Sequence, residues 1–361
     1  MQQAKKNIYN FSCGQLQKHL QELGHSSYRA KQIIKWLHQE YKQSFEEMTN
    51  LSKSFREQLQ QLFFIPNITS SHESISKDGT IKWLFRVDSN NQVETVYIPE
   101  NNRGTLCISS QAGCALACSF CATGMQGFSR NLTTAEIISQ LTFANMRLNS
   151  LYQEKKKNVT NVVMMGMGEP LLNLKQLLPA LNLMLDDNAY GLSKYRVTVS
   201  TSGIVPAMEI LKKNSEASLA ISLHAPNNTL RNELVPINKK YNIQMLINAC
   251  RTYFSNQPKR KITIEYIMIE NVNDSTTEAK QLVKLLSDIN CKINLIPYNP
   301  ISGSKYVKSP HKNCTTFRNI LEKHGFQTTI RKTRGDDIDA ACGQLAGDII
   351  ARDKIIQQET T

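Results

Sequence analysis

Three cysteines share one short stretch, Gly113-Cys114-Ala-Leu-Ala-Cys118-Ser-Phe-Cys121. A C-x3-C-x2-C spacing gathers soft thiolates, the ligands that select zinc or iron–sulfur centres. A structural zinc site wants four protein ligands, usually as two pairs, and no second pair lies nearby. Three thiolates suit a [4Fe–4S] cluster with one iron left open to another ligand. Inert core cysteines are the bland alternative, and such close clustering of three among nine speaks against it.

Other polar residues fall after apolar runs. Gly166-Met167-Gly168-Glu169-Pro170 follows one such run; its glycines let backbone approach a ligand closely, and Glu169 can accept hydrogen bonds from an ammonium group. Further on stand Ser200 in Val-Ser-Thr-Ser-Gly203, then Ser222, Leu223 and His224 in Ser-Leu-His-Ala225, and Asn299 in Pro-Tyr-Asn-Pro300. Each alone reads as a capped turn. Together they point to cofactor contacts around one mouth. By residue type alone Cys107 and Cys342 read as buried small hydrophobes, as do Cys13, Cys250, Cys291 and Cys314.

The elements that must position these residues alternate. Strand patterns occur at Thr105–Ser109, Asn161–Met165, Arg196–Ser200, Leu219–Leu223, Ile262–Met268 and Lys292–Ile296, with a seventh at Gln327–Arg331. Helical patterns lie between them, at Thr134–Leu148, Leu174–Leu185, Thr276–Ile289 and Thr315–His324. Strands alternating with helices predict a parallel sheet, and about six βα units predict a partial barrel. Its chemistry belongs at the C-terminal strand ends, where the motifs fall. Residues 80–87 and 92–98 flank Asp88-Ser-Asn-Asn91 and predict a β-hairpin. Before it, Leu16, Leu20 and Leu23, and then Ile33, Ile34 and Leu37, have helical spacing. The reading divides the chain into a helical module over 1–66, a β-hairpin linker over 67–103 and a catalytic α/β unit over 104–361.

Composition narrows the function. The 361 residues are 40% hydrophobic, enough for a large core. A net charge of +13 favours a polyanionic partner, because neutralised phosphates release counterions. Residues 1–66 hold nine Lys/Arg against five Glu. Lys155–Lys157, Lys259–Lys261 and the group Arg331, Lys332, Arg334 are candidate contacts to an RNA backbone, although charge runs are commonly just solvated surface. No apolar run is long enough to span a membrane, and no secretion signal is legible. A reducing, cytoplasmic setting is expected, where cysteines bind metal or do chemistry.

The cysteine spacing, with Phe120 before the last thiol, resembles the radical S-adenosylmethionine (SAM) superfamily. More specifically, the run Ser110–Ile138, Met165–Asn173, Val199–Pro206 and Asn294–Pro300, together with the helical module and Arg334–Leu345, is very similar to the RlmN family of bacterial dual-specificity RNA methyltransferases. The resemblance implies a [4Fe–4S] cluster on Cys114, Cys118 and Cys121. It implies two SAM molecules per turnover, with contacts from Gly168, Glu169, Ser200, Ser222, Leu223, His224 and Asn299. It implies methylation at C2 of an adenine, in 23S rRNA and beside the anticodon in some tRNAs. Cys342 would carry the methyl group and Cys107 would resolve the covalent adduct, leaving a Cys107–Cys342 disulfide. Glu94 matches the family's proton acceptor; its own sequence context reads as a solvated hairpin position. A flavodoxin-type electron donor and a monomeric state complete the expectation. Two alternatives remain: a sister enzyme acting at C8 of the rRNA adenine, and a non-catalytic RNA-binding protein with a structural metal.

Overall fold

The computed structural model describes residues 4–152 and 159–349, so Lys155–Lys157 lie outside the described residues. One sheet organises the chain. In it ten strands lie side by side in strict chain order. β1 (His72–Ile75), β2 (Ile81–Arg86) and β3 (Asn91–Glu100) pair antiparallel, and β3 pairs antiparallel with β4 (Arg103–Cys107). From β4 onward every pairing is parallel: β5 (Asn161–Met164), β6 (Val197–Thr201), β7 (Ser218–Ser222), β8 (Ile262–Met268), β9 (Cys291–Pro297) and β10 (Gln327–Ile330). Asp348–Ile349 returns to pair with Asn91 and Gln92 on β3.

Parallel neighbours need crossovers, and helices supply all six: α4 (Ala122–Gln126) with α5 (Thr134–Leu151), then α6 (Leu174–Leu185), α7 (Val205–Asn214), α8 (Asn228–Leu234) with α9 (Ile243–Tyr253), α10 (Thr276–Leu286) and α11 (His311–Lys323). The result is an α/β partial barrel of six βα units with a seventh strand at its edge, extended by the antiparallel strands. The span 67–103 therefore continues the main sheet.

Local chemistry explains the boundaries. α5 starts at a capping box, in which Thr133 and Glu136 satisfy each other's backbone donors. All seven residues of β8, Ile-Thr-Ile-Glu-Tyr-Ile-Met, are buried, as expected for a strand covered on both faces. The four cysteines read as small hydrophobes, Cys13, Cys250, Cys291 and Cys314, are all buried.

The helical module comprises three helices, α1 (Cys13–Glu22), α2 (Tyr28–His38) and α3 (Lys53–Leu62). Leu16, Leu20, Ile33, Ile34 and Leu37 form its interior. Leu23 does not: it caps the first helix and is exposed. Polar bonds fasten the module to the barrel. His38 Nδ1 lies 3.0 Å from the Tyr190 hydroxyl, which lies 2.6 Å from Thr142 Oγ1 on α5. The Ala135 N–H donates to Asn10 Oδ1 at 2.9 Å.

Candidate active site at the C-terminal strand ends

One cleft opens at the C-terminal ends of the parallel strands, where folds of this kind seat their ligands. Its walls include Cys114, Cys118, Cys121, Gly168, Glu169, Ser200, Ser222, His224 and Cys342. Residues far apart in sequence thus meet in one place.

The cysteine loop follows β4 through a short antiparallel pair, Gln111–Gly113 with Phe128–Asn131. Gly113 has φ +74, and a Cβ there would meet the Gly127 carbonyl oxygen at 2.0 Å. Glycine is therefore required where the loop turns. Among the described residues, no group of three or more His, Cys, Asp or Glu is disposed to hold one metal ion. Three thiols along a cleft wall instead suit a larger cube, where each sulfur binds its own iron.

The charge balance also fits such a group. Burial pushes the Cys114 thiol up to about 12, and it pushes Cys118 well above its ordinary value. Bound cations reverse that cost. Behind the loop, Arg231 is 0% exposed and donates only to neutral oxygens: the carbonyls of Leu223 (3.0 Å), Ser202 (2.7 Å) and Ser222 (3.2 Å), and Asn238 Oδ1 (2.9 Å). Burial lowers this guanidinium to about 10, while the Cys118 sulfur raises it. A buried cation without a carboxylate partner complements an anionic iron–sulfur–thiolate group.

The turn after β5 is welded to the cysteine side. The Ser110 N–H donates to the Met167 carbonyl at 2.9 Å, and the Glu169 N–H donates to Gln111 Oε1 at 2.8 Å. Glu169 is 3% exposed; it accepts from the N–H groups of Leu171 (3.1 Å) and Ser202 (2.9 Å). Burial still raises its carboxyl to about 6, so a ligand ammonium there would relieve an incompletely compensated charge. Ser200 and Ser222 hydroxyls lie 3.4 Å apart. His224, at φ +62, accepts the Ile267 N–H on Nδ1 at 3.1 Å. That bond fixes the neutral tautomer with its proton on Nε2, and burial lowers the imidazole to about 3.

Two expected contacts sit differently. Leu223 is buried, with its N–H on the Glu265 carbonyl and its own carbonyl on Arg231. Asn299 spends its amide on the segment bearing Cys342: Nδ2 donates to the Cys342 carbonyl at 3.0 Å, and Oδ1 accepts from the Thr333 hydroxyl at 3.2 Å.

Cys107 ends β4. Burial, then the nearby Cys342 thiol, pushes it up to about 12, whereas Arg331 pulls the other way. Cys342 retains exposed surface because it lines the open cleft; burial raises it to about 11, again opposed by Arg331. All nine cysteines are free thiols, so the disulfide expected of this pair is not a bond of the fold. Both sulfurs are held in surroundings that favour the neutral S–H form. Glu94 is also not the solvated residue its context suggests. It is 8% exposed, and its Oε2 accepts the Ala346 N–H at 3.0 Å.

The basic groups need correction too. Arg331 is part-buried, and its charge acts on Glu265, Cys342 and Cys107 at the cleft. It is not a free surface cation. Arg334 sits 3.7 Å from Asp78, while Lys332 is exposed. Between exposed Lys259 and Lys261, Arg260 turns inward over the Phe254 ring at 4.1 Å.

Arg231, Glu265 and Lys82 carry no motif. Glu265 lines the cleft at 3% exposure, with Oε1 on Asn294 Nδ2 at 2.9 Å and Oε2 without a hydrogen-bond partner. A charged residue inside the apolar run of β8 was its one legible signal.

Comparison with known proteins agrees with this geometry. Residues 108–283 match the radical SAM superfamily, and residues 6–65 match the ribosomal RNA large subunit methyltransferase N-terminal domain. A radical SAM methyltransferase from Sphaerobacter thermophilus is 39% identical; the alignment covers 94% of this chain and 99% of that chain, with a TM-score of 0.86. SuiB of Streptococcus suis, solved bound to S-adenosylmethionine, is 15% identical over 67% of this chain and 57% of its own, with a TM-score of 0.45. Fold and cleft together define a radical SAM enzyme, which works with a [4Fe–4S] cluster and SAM. The chain belongs to the RlmN family of radical SAM methyltransferases and acts as a SAM-dependent rRNA methyltransferase.

Proposed function

We propose that this enzyme methylates C2 of an adenine in 23S rRNA and of an adenine beside the anticodon in tRNAs. The observation that carries the reading is one juxtaposition. The Cys342 thiol bears on Cys107, Arg331 bears on both beside the cysteine-lined cleft, and the Ala346 N–H of the Cys342 segment donates to Glu94.

Cys114, Cys118 and Cys121 would hold the cluster, with Gly168 and Glu169 receiving the amino group of SAM. Ser200, Ser222 and His224 Nε2–H are the polar groups offered to the rest of that cofactor; Leu223 and Asn299 act through the backbone they hold. When bound, the cluster and SAM supply a one-electron reductive cleavage that ends in hydrogen removal from a methyl group.

Adenine C2 is electron-poor and does not attack a SAM methyl group directly, so the protein must carry the carbon itself. Cys342 takes the methyl group as a thioether and presents it to the base. Once carbon and C2 are joined, with the adduct's surplus electron returned to the cofactor, Glu94 accepts the C2 proton. Cys107 then gives up its own proton and attacks the Cys342 sulfur. A Cys107–Cys342 S–S bond forms as the S–CH2 bond breaks, and the freed carbon takes up a proton as the methyl group of the released adenine. The base must be unstacked to enter the cleft. We assign residues 1–66 to gripping RNA, the strands within 67–103 to supplying Glu94, and residues from 104 onward to catalysis. A flavodoxin-type donor and a monomer fit this scheme.

Anaerobic turnover of reconstituted enzyme on a short rRNA fragment with labelled SAM tests it. 2-Methyladenosine is expected, and Cys342→Ala should keep its cluster and cleave SAM without methylating RNA. Label recovered as 8-methyladenosine overturns the position of attack. Methylation by the Cys342→Ala enzyme overturns the tether.

A further inference from the structure

Register places three polar side chains on one face of the sheet. On β2 and β3, Leu84 pairs with Glu94 and Lys82 pairs with Val96; Val96 also pairs with Cys107 on β4. Directly paired residues share a face, as do residues two apart on one strand. Lys82, Glu94 and Cys107 therefore project to the same side. Trp83 and Phe85 project to the other, where each packs edge-on against Phe143 of α5.

The segment bearing Cys342 is hooked onto this face at two points. Lys82 Nζ lies 3.1 Å from Glu94 Oε1 and also donates to the Asp339 carbonyl at 3.2 Å. The Ala346 N–H donates to the other Glu94 oxygen. Cys342 lies in the chain between these two anchors. Side-chain exposures of 15% for Lys82 and 11% for Glu94 make the pair largely shielded from water, where an ion pair and its hydrogen bonds direct geometry more firmly than at the surface.

The geometry points to Lys82 as a positioning residue: it fixes the Glu94 carboxylate and the Cys342 segment relative to each other, so that the proton acceptor faces the base once it is tethered to Cys342. This rests on the roles proposed above for Glu94 and Cys342. Lys82 is not among the residues that line the cleft. It acts at one step, removal of the C2 proton, in which the proton passes to the Glu94 carboxylate while the C–H electron pair stays with the ring. Without Lys82, hydrogen removal from the methyl group and carbon–carbon joining still proceed. The covalent RNA–Cys342 adduct then waits for a misplaced acceptor.

The test compares Lys82→Met, Lys82→Arg and Glu94→Gln in the full, reconstituted enzyme. Iron content, RNA-dependent SAM cleavage, methylated product and protein-bound RNA on a denaturing gel are followed together. Lys82→Met should keep its iron and cleave SAM with RNA, accumulate adduct, and release product about ten- to a hundredfold more slowly, the scale expected of a misplaced catalytic group. Lys82→Arg, which keeps the cation, should recover part of that rate. Wild-type release by Lys82→Met overturns the proposal. So does parallel loss of iron and SAM cleavage, which marks a purely structural role. If Glu94→Gln accumulates adduct and Lys82→Met does not, only the role of Lys82 falls. If Glu94→Gln neither slows release nor accumulates adduct, the assignment of Glu94 itself falls.

Discussion

Two histidines in this chain are held neutral by burial, and their protons give the fold an acid sensitivity. His38 and His224 are each lowered to about 3. In the unfolded chain both titrate near 6.5. Below that pH the unfolded state binds protons that the folded state refuses, so stability falls as pH drops from about 6.5 toward about 3. The slope is about 1.4 kcal/mol per pH unit for each histidine. Glu169, raised to about 6, acts with the opposite sign between about 6 and its ordinary 4.5. Glu265, also raised by burial, acts with Glu169, but the two histidines act over the whole interval from about 6.5 down to 5, so the protein should unfold at lower urea at pH 5 than at pH 7. His38→Gln should narrow that gap; an unchanged gap would show that His38 does not contribute. The cysteines and the glycine turn are readable in the sequence because their candidate ligating atoms come from neighbours along the chain. Arg231, Glu265 and Lys82 are not, because a lone charge among apolar residues says nothing of what lies opposite it.

At the level of elements, the parallel strands are legible to within two residues, since buried β runs and amphipathic helices carry different periodicities. β1 escapes notice because His72–Ile75 offers only one apolar residue, and Ile75 is exposed. The union of 67–103 with the main sheet is likewise hidden, because pairing partners are not written in local pattern. One element joins the two halves of the site. α4, directly after the cysteine loop, bonds the Cys342 segment: the Ala122 N–H to the Gly343 carbonyl at 2.8 Å, and the Thr123 hydroxyl to the Leu345 carbonyl at 2.5 Å. Thr123→Val keeps the shape and deletes the donor, which leaves a buried carbonyl unsatisfied at about 1–3 kcal/mol. Hydrogen exchange over residues 340–347 should quicken in this variant while the helices at Leu174–Leu185 and Thr276–Leu286 are unaffected. Equal protection in both proteins would mean that α4 does not restrain the segment.

For the molecule as a whole, the excess of +13 sets the terms of RNA binding. Affinity should fall linearly with the logarithm of salt, with a slope that counts the phosphates neutralised. The helical module offers exposed Lys18, Lys31 and Lys35. Its polar bonds to Tyr190 and α5 make excision a poor test, because removal would uncover buried barrel surface. Replacing Lys31 and Lys35 by Glu leaves the core untouched. If both contact phosphates, that change should weaken RNA binding and flatten the salt slope by about two. SAM cleavage measured without RNA should stay constant. An unaltered slope would move the RNA grip elsewhere on the surface.

The sheet's strict chain order also bears on how the protein is made. Each strand from β1 to β10 can dock beside its predecessor as it leaves the ribosome. The segment with Cys342 follows all of them, yet it settles against β3, and Asp348–Ile349 closes onto Asn91 and Gln92. A nascent chain halted after β10 would thus hold a nearly complete scaffold without Cys342, so on the role proposed for that sulfur catalysis arrives only with the final pairing.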